Sequence, residues 1–267
     1  MQYLPTHFNV KFLNLGYSPR PFGIQSTSEE CIQENEDIRK IMDELIEPSD
    51  ATRSHCYLYE KTLSICPRYP HFDKFRVCEV GCGLGGGIEW IPRAHPEIYR
   101  IIGIDRIAIE TSSGLLMKGD AEDLPLEDES QDMVVNVESS HLYKNEKAFF
   151  MEVHRVLKDG GYLCWADLRF PNDMSTTLTI AHEAGFKLLS YENITNEVLN
   201  GIEYTSRNYD RLLKKAPWFV RIFGESIRTT YCAPGTPTYS RFARREKIYS
   251  AACWQRKSPS TEKKGRD

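Results

Sequence analysis

Residues 76–87 read Arg-Val-Cys-Glu-Val-Gly-Cys-Gly-Leu-Gly-Gly-Gly, a β-rich run that passes into closely spaced glycines and then into a helical stretch. Few segments restrict a fold as strongly. Glycines let the backbone turn sharply and approach a ligand with no Cβ in the way, and a strand–glycine turn–helix order opens a nucleotide-binding α/β unit. From Phe75 onward the same rhythm recurs: a short β-rich run, a turn, a helical stretch and another β-rich run, which signals parallel βαβ units. The pattern predicts strands at 76–80, 99–104, 115–118, 132–137, 160–166 and 186–191, and helices at 86–94, 145–157 and 176–185. Over 145–157 the residues Phe149, Phe150, Val153, Val156 and Leu157 fall on one face, and Asp159-Gly160-Gly161 then stops the helix.

The flanks read differently. The first 25 or so residues mix aromatics with Pro and Gly and suggest a peripheral arm. An amphipathic run, Ser28 to Ile46, follows and stops at Pro48; a second, Arg53 to Ile65, ends at Cys66-Pro67, because a residue before proline is pushed out of the helical region. Both helices are expected to cover one edge of the core. Beyond Asn193 come helical pieces at 194–215 and 217–223, a Pro/Gly-rich loop and a last strand near 247–254. The expected organisation is an arm and helix (1–50), a core (51–193), a helical lid insertion (194–246), a final core strand (247–256) and a solvated, disordered tail (257–267).

A chain of 267 residues can bury a substantial core. Its formal charge of -4 carries no polyanion-binding signature, so nucleic acid is not an expected partner. No run of 18 apolar residues exists, and the start lacks a basic region followed by an apolar one, which suggests a cytoplasmic protein. The 8 cysteines have no paired short spacing of the zinc-ribbon kind and read as reduced, structural residues. Cys78 and Cys82 lie close together, but a strand end and the glycine turn explain them, and no metal is expected.

Four polar elements carry the chemistry. Gly81, Gly83 and Gly86 satisfy G-x-G-x-x-G, a pattern that dinucleotide sites share, and Glu79 stands two residues before the first glycine. Asp105 closes the next strand, where an acid bonds ribose hydroxyls. Gly119-Asp120-Ala121-Glu122-Asp123-Leu124-Pro125 forms a polar turn after strand three, suited to adenine recognition through the Asp120 side chain and adjacent amides. Asn136-Val137-Glu138-Ser139-Ser140-His141 ends strand four. All four fall at the carboxyl ends of successive parallel strands, where open α/β sheets bind ligands.

These residues resemble the class I S-adenosylmethionine-dependent methyltransferases. Within that family they are similar to the phthiotriolone and phenolphthiotriolone dimycocerosate O-methyltransferases and related polyketide or natural-product enzymes. The resemblance spans residues 50–255 and includes Gly160-Gly-Tyr-Leu-Cys-Trp-Ala-Asp-Leu-Arg169 and Ile194-Thr-Asn-Glu-Val-Leu-Asn-Gly-Ile202. It implies a Rossmann-like α/β fold, with a seven-stranded, mostly parallel sheet, helices on both faces and a small helical lid. It also implies that S-adenosyl-L-methionine is held by Tyr59, Glu79, Gly81, Gly83, Asp105, Asp120, Ala121, Glu122, Val137 and Glu138. One departure stands out: only Arg106 to Lys118 separate Asp105 from Gly119, too few for a full crossover helix.

Deprotonating a hydroxyl acceptor calls for a base near neutral pH, and His141 at the rim of strand four is the candidate. Asp167, at the rim of strand five, is placed to hold its tautomer; the pair resembles the dyad of some sugar O-methyltransferases. Asp167 could equally pair with Arg169 or Arg155 as a structural ion pair. Glu138 could instead bind a polar group of the acceptor or line the methionine end of the cofactor. Leu199, Ile202, Tyr204, Tyr209, Leu212, Trp218, Phe219 and Phe223 are expected to face the pocket or the core, which fits a small hydrophobic acceptor. The expected reaction is methyl transfer to a hydroxyl. An NAD-dependent oxidoreductase and a non-catalytic methyltransferase-like binding protein remain alternatives at this point, and oligomeric state is not readable.

Overall fold

A computed structural model describes residues 11–20, 35–107, 115–218 and 223–257. The described chain runs through α1 (Glu36–Leu45), α2 (Arg53–Ser64), β1 (Arg76–Val80), α3 (Gly86–Ala94), β2 (Arg100–Asp105), β3 (Leu116–Lys118) and β4 (Gln131–Val137). It continues through α4 (Glu146–Val156), β5 (Leu157–Arg169), α5 (Pro171–Glu183), β6 (Phe186–Asn193), α6 (Thr195–Lys215), α7 (Gly224–Thr230), α8 (Pro237–Ala243) and β7 (Ile248–Arg256). The seven strands form one sheet in the order β3-β2-β1-β4-β5-β7-β6. β1 to β5 pair in parallel, while β7 runs antiparallel between β5 and β6. This is the Rossmann-like class I methyltransferase architecture expected from the motifs. The order reverses at β1 and β4, so the crevice where ligands settle lies at their carboxyl ends.

Alternation along the strands divides the core between two faces. Val77, Cys164, Ala166, Tyr249, Ala251 and Cys253 pack beneath α2, α3 and α6, whereas Cys78, Val80, Leu163, Trp165 and Trp254 pack against α4 and α5. The second face is aromatic: Phe150 meets Trp254 and Phe186, and Trp165 meets Trp254, all edge-on. On the first face Glu60 is wholly buried yet fully used, accepting from Trp90 Nε1 (2.8 Å) and Tyr69 Oη (2.8 Å) and lying 3.2 Å from His95 Nε2.

Several expectations shift. α2 covers a sheet face, not an edge, because its buried residues Leu58, Tyr59 and Leu63 join the core under β4, β5 and β7. α1 starts at Asn35, whose side chain accepts from the amides of Asp37 and Ile38; residues 28–34 of the expected helix lie outside the described residues. α5 starts at Pro171, since proline suits a first helical position, and not at 176. β5 begins directly after α4, so Gly160 and Gly161 lie inside the strand and do not form a stop. Two short helices, α7 and α8, occupy the expected Pro/Gly-rich loop, the second with Pro237 in its first turn and Thr236 capping Tyr239 N. Between β2 and β3 lie residues 106–115, of which 108–114 fall outside the described residues. The tail expected to be solvated also falls outside them from residue 258.

The largest difference is the amino-terminal arm. Residues 11–18 are not peripheral: the Tyr17 amide donates to Ser54 O (2.8 Å) and the Ser18 amide to Glu197 O (2.9 Å), strapping the segment between α2 and α6. Gly201 on α6 makes this contact possible, because a Cβ there would lie 2.5 Å from Gly16 C and Tyr17 N. A Gly201→Ala chain is expected to lose about 1–3 kcal/mol through this overlap. The denaturation midpoint reads the loss, and amide exchange at Tyr17 and Ser18 should quicken more than exchange in β5. Unchanged protection at both amides would contradict the strap.

Candidate active site

Glu79 sits on the same side of β1 as Val77, so strand alternation aims it at α2. There the Tyr59 hydroxyl donates to Oε1 at 2.6 Å, while Oε2 is buried with no hydrogen-bond partner among the described residues. Burial pushes this carboxyl up to about 8, opposed by the Tyr59 hydrogen bond and assisted by the charge of Asp105. A Cβ at Gly87, in the first turn of α3, would overlap both Glu79 oxygens, so glycine alone admits the carboxyl there. Gly81 has a φ of 73°, and a Cβ on it would collide with the Ser139 and Tyr143 hydroxyl groups. The turn thus couples β1 to the rim of β4.

Asp105 ties the same turn to β2. Its Oδ2 accepts from the Gly83 amide (2.9 Å) and its Oδ1 from the Ile107 amide (3.0 Å). Glu79, Gly81, Gly83 and Asp105 therefore converge as the motif order implied. The unpartnered Glu79 oxygen and a turn stripped of Cβ atoms suit a ligand carrying hydroxyl or amino donors, as S-adenosylmethionine does.

The next loop is used differently from expectation. Asp120 pairs with Arg106 (2.8 Å) and accepts from the Glu122 amide (3.0 Å), which together hold it below the usual carboxylate range. Ala121 tucks its methyl into the core beside Leu124. Glu122 turns toward α4, accepting from the amides of Lys144 (2.8 Å) and Asn145 (3.2 Å). A helix start rich in unpaired N–H groups draws a carboxylate, so the Glu122 side chain ties this loop to the start of α4.

At the rim of β4, Val137 is buried and Glu138 adopts a φ of 52°. Glu138 Oε2 accepts from the Leu15 amide (2.8 Å) and the Tyr249 hydroxyl (3.0 Å). Burial pushes Glu138 up to about 8, against the Leu15 amide and with help from the charge of Asp167. Asn136, wholly buried, donates to Val80 O (2.9 Å), Ser139 Oγ (2.8 Å) and Tyr143 Oη (3.0 Å), pinning this loop beneath the glycine turn. Tyr249, Asn136, Tyr143 and the arm residue Leu15 were absent from the sequence-predicted site. Only Asn136 stood in a motif.

His141 and Asp167 meet as expected, with Nδ1 2.7 Å from Oδ1. Asp167 is fully buried and also accepts from the His141 amide (2.9 Å), the Ser140 hydroxyl (2.7 Å) and the Leu168 amide (2.8 Å). Burial alone would raise its pKa; the His141 bond and the Arg169 charge outweigh that and hold it below the usual range. Arg169 stands 3.0 Å from Asp167 and donates to Ser140 Oγ and Glu146 Oε1, each at 2.9 Å. Of the two ionic partners weighed for Asp167, Arg169 is the one found, while Arg155 pairs with Asp128 and Glu152.

Of the residues expected to face the pocket or the core, Ile202 is buried and Leu199 packs on the core. The Tyr209 hydroxyl lies 3.2 Å from His55 Nε2, and Tyr204 donates to Pro48 O (2.6 Å). Leu212, Trp218 and Phe223 are exposed, the latter two at 73% and 64%, so they do not face the core; helical spacing does not say which side of a helix has a neighbour. Phe219 lies outside the described residues.

A methyltransferase domain family matches residues 78–165, which run from β1 through β5. The phthiotriol/phenolphthiotriol dimycocerosates methyltransferase of Mycobacterium tuberculosis (strain ATCC 25618 / H37Rv) is 36% identical over 196 residues, covering 70% of this chain and 71% of that protein. The chain belongs to the class I methyltransferases, in the group of the phthiotriol/phenolphthiotriol dimycocerosates enzymes. A fatty-acid O-methyltransferase of Mycolicibacterium smegmatis is 33% identical over 213 residues, covering 76% of this chain and 68% of that protein. Among solved structures, a geranyl diphosphate methyltransferase in complex with GPP and sinefungin superposes with a TM-score of 0.62 at 13% identity, over 95% of this chain and 92% of that one. The [4+2]-cyclase SpnF gives 0.60 at 18% identity, over 80% and 86%. These two likenesses are of fold. The methyltransferase is an S-adenosylmethionine-dependent enzyme, which sets aside the nicotinamide and non-catalytic readings. Among the described residues no helix is long and apolar enough to cross a membrane.

Glu79 supplies a pH test of the ligand-free methyltransferase. Its folded value of about 8 exceeds the ordinary 4.5, so the folded state keeps a proton that the unfolded chain has already lost. Its contribution to stability is complete below pH 4.5 and is lost as pH rises to about 8. Glu79→Gln should flatten the decline of the unfolding midpoint across that window. An unaltered decline would show that the carboxyl titrates normally.

Proposed function

We propose that the methyltransferase transfers the S-adenosylmethionine methyl group to a hydroxyl of a small hydrophobic acceptor, lipid, phenolic or polyketide-like, with His141 as general base. The His141–Asp167 pair carries this reading. Asp167 is kept anionic by four hydrogen-bond donors and Arg169, so Nδ1 of His141 donates to it and Nε2 is left as the acceptor. His141 keeps 25% of its side chain exposed, whereas Asp167 has none, which supports His141 as the member of the pair that meets an acceptor.

The cofactor, when bound, supplies an electrophilic methyl group. Tyr59, Glu79, Gly81, Gly83 and Asp105 would hold it, and Asp120, the Ala121 and Glu122 amides, Val137 and Glu138 would line its remaining edge. His141 Nε2 would take the proton given up by the acceptor hydroxyl, and Asp167 would stabilise the imidazolium that results. Arg169, Ser140 and Glu146 keep Asp167 from turning, which preserves the tautomer. Phe12, stacked on His55, and Leu13, against Gly83, set an apolar wall from the arm over the glycine turn. Residues 194–246 act in this reading as the helical lid, with Gly201 set against Gly16 and Tyr17 of the arm. The relatives' names refer to dimycocerosates and a fatty acid, which supports an oily acceptor. The free thiols of the described cysteines accord with a reducing, cytoplasmic setting.

A carboxylate acceptor is the second reading, favoured by the fatty-acid O-methyltransferase relative. It is already an anion and needs no base. The two readings separate on one variant, assayed with labelled methyl donor against a long-chain alcohol, a phenolic lipid and a fatty acid. His141→Ala should lower kcat on the hydroxyl acceptors by about 10²–10⁴-fold while cofactor affinity stays within twofold of about its original value. Methylation of fatty acid alone, undiminished in the variant, would refute the hydroxyl reading. Asp105→Ala should do the converse, weakening the cofactor by about tenfold or more, a loss of roughly 1.5 kcal/mol for a hydrogen bond to a charged group. Calorimetry with S-adenosylhomocysteine reads it directly.

A further inference from the structure

Cys66, Cys164 and Cys253 are distant in sequence, yet their three Sγ atoms all lie within 4.8 Å of one another, and each residue is buried. Cys164 and Cys253 are direct partners across the β5–β7 ladder and point to the α2 face, where Cys66 meets them from the end of α2. Cysteine spacing predicted no metal here, because the triangle is made by two strands and a helix end that no short motif connects.

We propose that this triangle is a three-thiolate site for a thiophilic d¹⁰ ion, namely monovalent copper in trigonal coordination. Metal–sulfur bonds of about 2.3 Å place three sulfurs about 4 Å apart, so contraction by well under about 1 Å per pair closes the site. Three soft ligands without a carboxylate or imidazole select a soft monovalent ion, whereas a structural zinc site wants four ligands. On binding, each thiol gives its proton to solvent and its sulfur lone pair to the metal, with no change of oxidation state. Arg68, two residues beyond Cys66, is exposed, and Tyr162, two residues before Cys164 on β5, is half-buried. A bound ion would staple the end of α2, the helix that carries Tyr59, to β5 and β7.

The test uses the full chain, reduced and kept anaerobic, titrated with monovalent copper against a chromophoric copper(I) chelator. One equivalent should transfer to the protein, and X-ray absorption should show three sulfurs at a single distance. Cys66→Ser, Cys164→Ser and Cys253→Ser should each weaken retention by more than about 100-fold, beyond what loss of an outer-shell partner costs. Cys232→Ser, which removes a buried thiol outside the triangle, should retain the ion. No transfer at one equivalent to the wild-type chain, or a copper coordinated by two sulfurs or by nitrogen and oxygen, overturns the proposal without recourse to any variant that fails to fold.

Discussion

A carboxyl group held out of water at the end of β1 ties α2, β1 and α3 together in this methyltransferase. Glu79 can be buried only because Gly87 leaves room at the start of α3 and because the Tyr59 hydroxyl meets one of its oxygens at 2.6 Å. Leaving the other oxygen without a partner costs stability in the ligand-free chain. Natural proteins keep such a cost where a ligand recovers it. The same burial that lifts Glu79 toward neutrality also makes α2, β1 and α3 one unit, since each contributes an atom group that the others need.

A second carboxyl, Glu138, does a related job at the rim of β4. It joins the arm, through the Leu15 amide, to the far side of the sheet, through Tyr249 on β7. β7 runs antiparallel beside β5, and that reversal brings Tyr249 opposite Leu168. An all-parallel sheet would have put a different residue there. The arm and β7 therefore converge on the rim of β4 through a backbone and a hydroxyl donor, with Gly201 on α6 setting how closely the arm can lie.

Around the dyad the polar groups form a closed set. Arg169 reaches Asp167, Ser140 and Glu146, Trp165 donates to Ser140 Oγ (2.8 Å), and Thr177 donates to Glu146 Oε1 (2.8 Å). With its other lone pairs occupied, Asp167 has one geometry left for His141. A [4+2]-cyclase shares this fold at a TM-score of 0.60, and a fold by itself does not fix a reaction.

Local pattern was enough for much of the fold. Strand alternation, glycine turns and helix stops placed β1, β2, β3, β4 and α3 within a residue or so, because each element's signal lies within its own segment. The motif order also brought Glu79, Gly81, Gly83 and Asp105 together, since successive parallel strands necessarily present their carboxyl ends to one crevice. Sequence did not reveal that Glu122 turns to α4, that Trp218 and Phe223 stay exposed, or that the arm crosses the glycine turn. Nor did it reveal Tyr249 at Glu138 or the meeting of Cys66, Cys164 and Cys253. Those facts depend on which face of a helix finds a neighbour and which strand lies beside which. A periodic pattern says that a residue points away from its own backbone; only packing in three dimensions says toward what.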